Sequence, residues 1–595
     1  MIRSSRTLAA AGLVAALTLT ASACGGSKGG DSGSKASDGK TSSSAGAGFD
    51  AAVGKVVNAS DKTGGTLNLW SSQDADSWDP ARGYYAFVWN MERFYSRTLL
   101  AYDSKPGKDG LQLVPDLASA APEISADGKT YTFKLKEGLK FEDGSPITSK
   151  DIKYGVERVF AQDVISGGPT YLVQSLDQGQ KYPGPYKDKD PNKLGLKSVQ
   201  TPDDQTIIFK LAKADSSFPY LLAMGSAAPV PQKLDTGAKY GSHPVSSGPY
   251  KFQSYEPGKS LTLVRNDQWD PKTDPFRKAL PDKINLTITT NPDDMDARLL
   301  AGTADLDIGQ TGVSQDAQIK ILQDPKLKAN TDDPFNGFIR YISIVPKVAP
   351  FDNEHCRKAV LYAADPTALQ TARGGPTAGA IYGNMLPPNI LGSDDYDPFG
   401  LTGGKSQVDK AKDELKQCGK PNGFKTTIAV RNNKDKEVNS AVALQNALKT
   451  VGIDAAIDQY DGKLISSVIG APDVVHKKGY GLIVMGWGAD YPNGSGFLQP
   501  LVDGRFIASN GNNNFSEIND PEINATFDKA AAETDPAKAA DLYKEINHKV
   551  VDGAYYLPVV ADRALNYRNP RLTNVYVHEA FGMVDFQALG TSDGK

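Results

Sequence analysis

Histidine and cysteine are scarce, with five of the first and three of the second in 595 residues. His243, His355, His476, His548 and His578 show no metalloprotease spacing, and His578-Glu579 lacks the second histidine of such a site. Long apolar runs are also missing. The stretch Leu8 to Leu19 is too short for a permanent span, which needs roughly 20 apolar residues, and no later run reaches that length. There is no basic stripe and no aromatic-basic interleaving, and the net charge is −4, so no nucleic-acid partner is expected. The glycines a phosphate-binding loop requires are absent too: Gln253 and Phe399 stand where Gly258-Lys259-Ser260 and Gly404-Lys405-Ser406 would need them. Gly25-Gly26-Ser27-Lys28-Gly29 has the nucleophile-elbow pattern without a strand before it. Asp203-Asp204, Asp293-Asp294 and Asp394-Asp395 sit beside turn residues and read as solvated loop charges. No enzyme and no cofactor is expected.

The first residues of the chain point outside the cell. Arg3 and Arg6 precede the short apolar stretch, and Ala21-Ser22-Ala23-Cys24 follows it, so residues 1–23 read as an export signal with small residues before a cysteine. A lipoprotein signal peptidase acts on such a site, and Cys24 would become a lipid-modified N-terminus anchored to the outer face of the cytoplasmic membrane. Ala21 stands where lipobox sequences usually carry leucine; a plain small-residue cleavage site is the alternative. Residues 24–61 are Gly, Ser, Lys and Asp with almost nothing to bury, and they read as a disordered tether. With Gly/Ser statistics its ends lie on the order of 35 Å apart.

Removing Cys24 leaves Cys356 and Cys418. Cys356 lies at a helix start, and Cys418 ends the helix built on Val408, Ala411 and Leu415, with Gly419 at its cap. In an oxidising exterior two remaining cysteines pair, so a Cys356–Cys418 disulfide is expected, worth about 4 kcal/mol in the chain-entropy model. Two separate buried thiols are the alternative. A metal site is disfavoured, because His355 is the only histidine near either cysteine in sequence.

Between Asp116 and Phe160 the pattern becomes specific. Asp127-Gly128 is a turn, and Tyr131, Phe133 and Leu135 alternate with Thr132, Lys134 and Lys136 as in a half-buried strand. A second apolar run ends at Asp143-Gly144, and Thr148-Ser149-Lys150-Asp151 caps a helix carrying Ile152, Val156, Val159 and Phe160 inward. Residue by residue this segment resembles the signature region of the family 5 extracytoplasmic solute-binding proteins, the oligopeptide, dipeptide and nickel receptors of ATP-driven importers. Further segments resemble the family in the same order: Gly64-Gly65-Thr66-Leu67, Ser77-Trp78-Asp79-Pro80, Val114-Pro115-Asp116-Leu117-Ala118, Ser247-Gly248-Pro249-Tyr250, and Gly486-Trp487-Gly488-Ala489-Asp490-Tyr491-Pro492.

The resemblance implies an α/β, two-lobed, periplasmic-binding-protein-like fold (type II, cluster C), a Venus flytrap with an extra subdomain inserted in the first lobe. Lobe I is expected from 62–88, 229–335 and 555–595, the inserted subdomain from 89–228, and lobe II from 336–554. It also implies a receptor, monomeric, that captures short peptides by hinge closure and passes them to ABC permease and ATPase subunits. An oligosaccharide or metal-chelate cargo, or a non-transport sensor role, is the alternative. In peptide-binding members the aspartate of the Asp-Tyr motif pairs with the ligand's ammonium, which here is Asp490; a turn aspartate bonding its own backbone is the other reading. Trp487, Gly488, Ala489 and Tyr491 flank it, and the two aromatics either line the amine pocket or belong to the core. Tyr84, Tyr85 and Tyr171 are further candidate lining residues. No carboxylate-binding arginine is identified.

Overall fold

The computed structural model describes residues 48–594. The export signal, Cys24 and most of the expected tether lie outside the described residues. The tether does not extend to residue 61: Ala51, Ala52 and Val57 are buried in the core of lobe I, and Val57 bridges to Val575. Val57 pairs with a residue at the far end of the chain and Ala52 bonds Asp332, partners that local composition does not reveal.

Lobe I opens with β1 (Thr66–Ser71), whose alternation turns Leu67, Leu69 and Ser71 inward. Helix α1 (Ala86–Glu92) adds Phe87, Val88 and Met91 to the same core, together with Phe94 and Tyr95. The inserted subdomain therefore does not begin at 89; its own core runs from Leu99 onward, with Ala81 and Trp89 of lobe I packed against it. Here β2 (Glu123–Ile124), β3 (Thr130–Lys134), α2 (Ser149–Arg158), α3 (Tyr171–Leu176), β4 (Val199–Gln200) and β5 (Thr206–Lys210) follow one another, and the strands form an antiparallel sheet ordered β2-β3-β5-β4. Tyr131 and Phe133 are the buried face of β3. The carboxylate of Asp151 accepts the backbone N–H of Thr148 at 2.8 Å, closing the cap of α2. The chain returns to lobe I as β6 (Tyr250–Glu256), β7 (Ser260–Arg265), β8 (Lys283–Ile288) and β9 (Leu306–Asp307), in a sheet ordered β9-β1-β8-β7-β6.

Lobe II contains β10 (Phe335–Ile344), α4 (Glu354–Ala363), β11 (Gly379–Ile381), α5 (Val408–Gln417), β12 (Lys425–Arg431), α6 (Asp435–Lys449), β13 (Asp454–Tyr460), β14 (Tyr480–Gly488), α7 (Gly494–Val502) and β15 (Tyr556–Arg563). Its sheet is ordered β11-β15-β10-β14-β12-β13. Lobe II thus extends to Arg563 instead of ending at 554, because β15 pairs with both β10 and β11. The two crossings between lobes run side by side, Thr331 and Asp332 pairing antiparallel with Tyr567 and Asn566. Arg568 bonds the carboxylate of Asp332 at this junction.

Two bonded networks hold the parts. Cys356 on α4 and Cys418 at the C-cap of α5 are joined in a disulfide. Gly419 takes φ +71°, and the N–H of Lys420 reaches back to the Leu415 carbonyl at 2.8 Å, a glycine-ended helix stop. Between lobe I and the inserted subdomain, Arg158 of α2 donates to both oxygens of Asp79 at 2.9 and 2.8 Å and to Asp235 at 3.1 Å.

His578 sits in the core of lobe I as a neutral ring. Its Nε2 lies 3.0 Å from the Asp103 carbonyl and its Nδ1 accepts the Ala580 N–H at 3.3 Å, so the neutral tautomer satisfies both nitrogens and a second proton would face a donor. Burial pushes its pKa down from 6.5 to about 4. The unfolded chain takes up this proton first, so stability is present in full above pH 6.5 and is lost as pH falls toward 4. Between pH 7 and pH 5 the expected loss is about 2 kcal/mol. Urea unfolding at both pH values, against His578→Gln as reference, checks this; an equal pH response in the two proteins contradicts it.

Candidate ligand cleft

Strand β14 delivers the central residue of the cleft. Opposite Phe338 of β10 it carries Gly488, where a Cβ would stand 2.6 Å from the phenylalanine ring. Glycine is therefore needed for this ring to lie against the strand, and Arg340 stacks on the ring at 4.9 Å. Beyond Gly488 the chain leaves the sheet at Ala489 and Asp490. The Tyr84 hydroxyl, from the loop before α1, donates to Asp490 Oδ2 at 2.8 Å. The Tyr171 hydroxyl, at the start of α3, donates to the same oxygen. Lobe I, the inserted subdomain and lobe II thus meet on one carboxylate, which bonds these phenols and not its own backbone. Oδ1 has no protein hydrogen bond among the described residues.

Burial raises the pKa of Asp490 above the ordinary aspartate value, and the two phenol bonds oppose that rise. Burial, with the adjacent carboxylate, also pushes the Tyr84 and Tyr171 hydroxyls up, so both remain donors. Asp490 faces a cavity of about 980 Å³, open to solvent, walled by Ala489, Trp89, Phe338, Asn389 and Phe581 among others. Trp89 is fixed by its Nε1–H to the Gly83 carbonyl at 2.7 Å, and the Tyr84 ring packs edge-on against it at 5.6 Å.

The other candidates divide. Ala489, Tyr84 and Tyr171 are brought to Asp490. Tyr491 is buried one layer behind, stacked on Tyr220 and edge-on to Tyr171, each at 5.8 Å, and with Tyr171 it lines a neighbouring cavity of about 1180 Å³. Trp487 pairs with Ile339 and packs on the core of lobe II, outside the cavity wall. Tyr85 is exposed and stacks on Phe87 at 5.6 Å, also outside the wall. The wall residues Phe338, Asn389 and Phe581 carry no local motif; only folding brings them together. Among the described residues no cluster of three or more histidine, cysteine, aspartate or glutamate side chains is placed to hold a metal ion, and no helix is long and apolar enough to cross a membrane.

Two lobes joined by paired crossings, with a cavity between them and a half-buried carboxylate at its wall, define a two-lobed solute-binding protein. The model of the bacterial extracellular solute-binding proteins, family 5, matches residues 112–509. Heme-binding protein A of Haemophilus influenzae is 28% identical over 518 residues, covering 82% of this chain and 86% of the relative. The oligopeptide-binding protein OppA of Bacillus subtilis is 25% identical over 454 residues, covering 73% and 77%. A solved structure titled clavulanic acid biosynthesis oligopeptide binding protein 2 is 46% identical, with a TM-score of 0.87, covering 92% of this chain and 99% of that one. The chain belongs to family 5 of the bacterial extracellular solute-binding proteins. It is a receptor of the ABC-importer type and not an enzyme, and its family works outside the cytoplasm.

Proposed function

We propose that the protein captures short peptides, holding the free amino terminus at Asp490, and delivers them to a membrane permease when its lobes close. The observation that carries this reading is the Asp490 carboxylate itself: half-buried at the cavity wall, with Oδ2 held by Tyr84 and Tyr171 and Oδ1 left to a ligand. An ammonium there gains a charge-assisted hydrogen bond in a site shielded from water. An oligosaccharide carries no such group. The names of two of the relatives, both oligopeptide-binding, support the same cargo. Because the ligand touches both lobes only when they are closed, its binding energy shifts the open-closed equilibrium. Cys24, outside the described residues, would tether the receptor to the membrane, and one copy suffices for capture.

Native mass spectrometry of the freshly purified protein tests the cargo. A family of bound masses matching short peptides is the expected result; a single sugar, porphyrin or metal-chelate mass contradicts it. The raised pKa of Asp490 adds a pH signature, since an ammonium pairs only with the ionised carboxyl. Affinity is full above that pKa and falls as pH drops through it, by up to about tenfold per unit. Titrations stepped downward from pH 7.5 should show this fall begin at a higher pH than an ordinary aspartate would give, and Asp490→Asn should be flat; equal slopes contradict the assignment.

A further inference from the structure

Glu92, the last residue of α1, lines the same cavity as Asp490 and is itself almost completely buried. Among the described residues neither of its carboxyl oxygens has a hydrogen-bond partner. Its position is built from both sides. A Cβ on Gly83 would stand 2.8 Å from Oε1, and one on Gly225 would collide with Oε2, so two glycines allow the lobe I loop and the inserted subdomain to close around the carboxyl. The nearby basic groups are engaged elsewhere. Arg158 is bonded to Asp79 and Asp235, and Arg93 turns to Asp585 at 3.1 Å and over the Phe581 ring at 4.8 Å. The charged neighbours that act on Glu92 are carboxylates, Asp79 and Asp76, and burial together with their charge pushes its pKa well up.

A buried carboxyl with no donor on either oxygen is costly; Asp116, by contrast, receives Arg97 and Arg277 at 2.8 and 2.9 Å. We infer that Glu92 is a second cation-reading position of the cavity, taking the ammonium or guanidinium of a basic side chain on a ligand whose amino terminus is held at Asp490. This rests on the peptide reading above. A basic side chain supplies the missing donor and the compensating charge together. A neutral side chain of the same length supplies neither, so it leaves Glu92 unpaired and the ligand discriminated against.

The test is titration of the stripped protein with tri-alanine peptides in which each position in turn carries lysine or norleucine, arginine or citrulline. At one position the charged peptide should bind at least tenfold tighter than its neutral analogue, and Glu92→Gln should remove that difference. Absence of any charge preference in the wild type, or a preference that survives in Glu92→Gln, overturns the inference whether or not the variant is stable. If neutral peptides bind through Asp490 without such a preference, this inference alone fails; if no peptide binds, the peptide reading fails with it.

Discussion

Replacing Asp490 with alanine should weaken peptide binding by two orders of magnitude or more, equivalent to about 2.7 kcal/mol. The size follows from its surroundings. The carboxylate is half-buried and held under two phenols, so closure over a ligand leaves its bond with an ammonium partly screened, and removing one partner of such a pair typically costs ~2–5 kcal/mol. Tyr84 and Tyr171 already fill Oδ2 and hold the carboxylate in place. Asp490→Asn should therefore lose nearly as much as alanine, because it keeps the shape and loses the charge. Tyr84→Phe should lose much less, because it removes one orienting bond and leaves the charge. Isothermal titration of the three variants separates these effects; an unchanged Kd for Asp490→Ala removes the amino terminus from this position.

Removing the disulfide by Cys356→Ser with Cys418→Ser should lower the stability of lobe II by about 4 kcal/mol in the chain-entropy model, within an observed range of ~2–5 kcal/mol. The bond closes a loop of 62 residues in sequence separation. That loop contains β11 and α5, and the disulfide ties α5 directly to α4, so in its absence both can separate in the unfolded chain. Denaturant unfolding of the double variant, with the reduced wild type alongside, measures the effect. A difference below about 1 kcal/mol would show that the helix pair is held by its packing alone.

Elements with strong local patterns are legible in the sequence. The alternation through Tyr131 and Phe133 is β3, and the Thr148 to Asp151 cap opens α2 where the pattern places it. Asp490, marked by the Asp-Tyr motif, stands at the cavity. What the sequence does not display are properties of distant pairing. The apolar run through Tyr556 and Val560 reads as a strand, yet nothing local states that it pairs with Phe335–Ile344 in lobe II. Residues 89–95 look like the start of an insertion, but Met91, Phe94 and Tyr95 complete a core begun by Leu67 and Leu69. Trp487 and Tyr491 have the side chains of a binding pocket, and only strand register decides that one faces the lobe II core and the other the wall behind the phenols. Glu92 carries no motif; its significance appears only when no donor is found beside it.

The most direct test of the central claim compares two ligands that differ only at the amino terminus. The protein, stripped of co-purified material, is titrated with tri- to pentapeptides bearing a free amine and with the same peptides acetylated there. Micromolar or tighter binding of the free peptides, weakened a hundredfold or more by acetylation, is the result expected if Asp490 holds the ammonium. Equal affinity for both forms, or no heat with either, contradicts it.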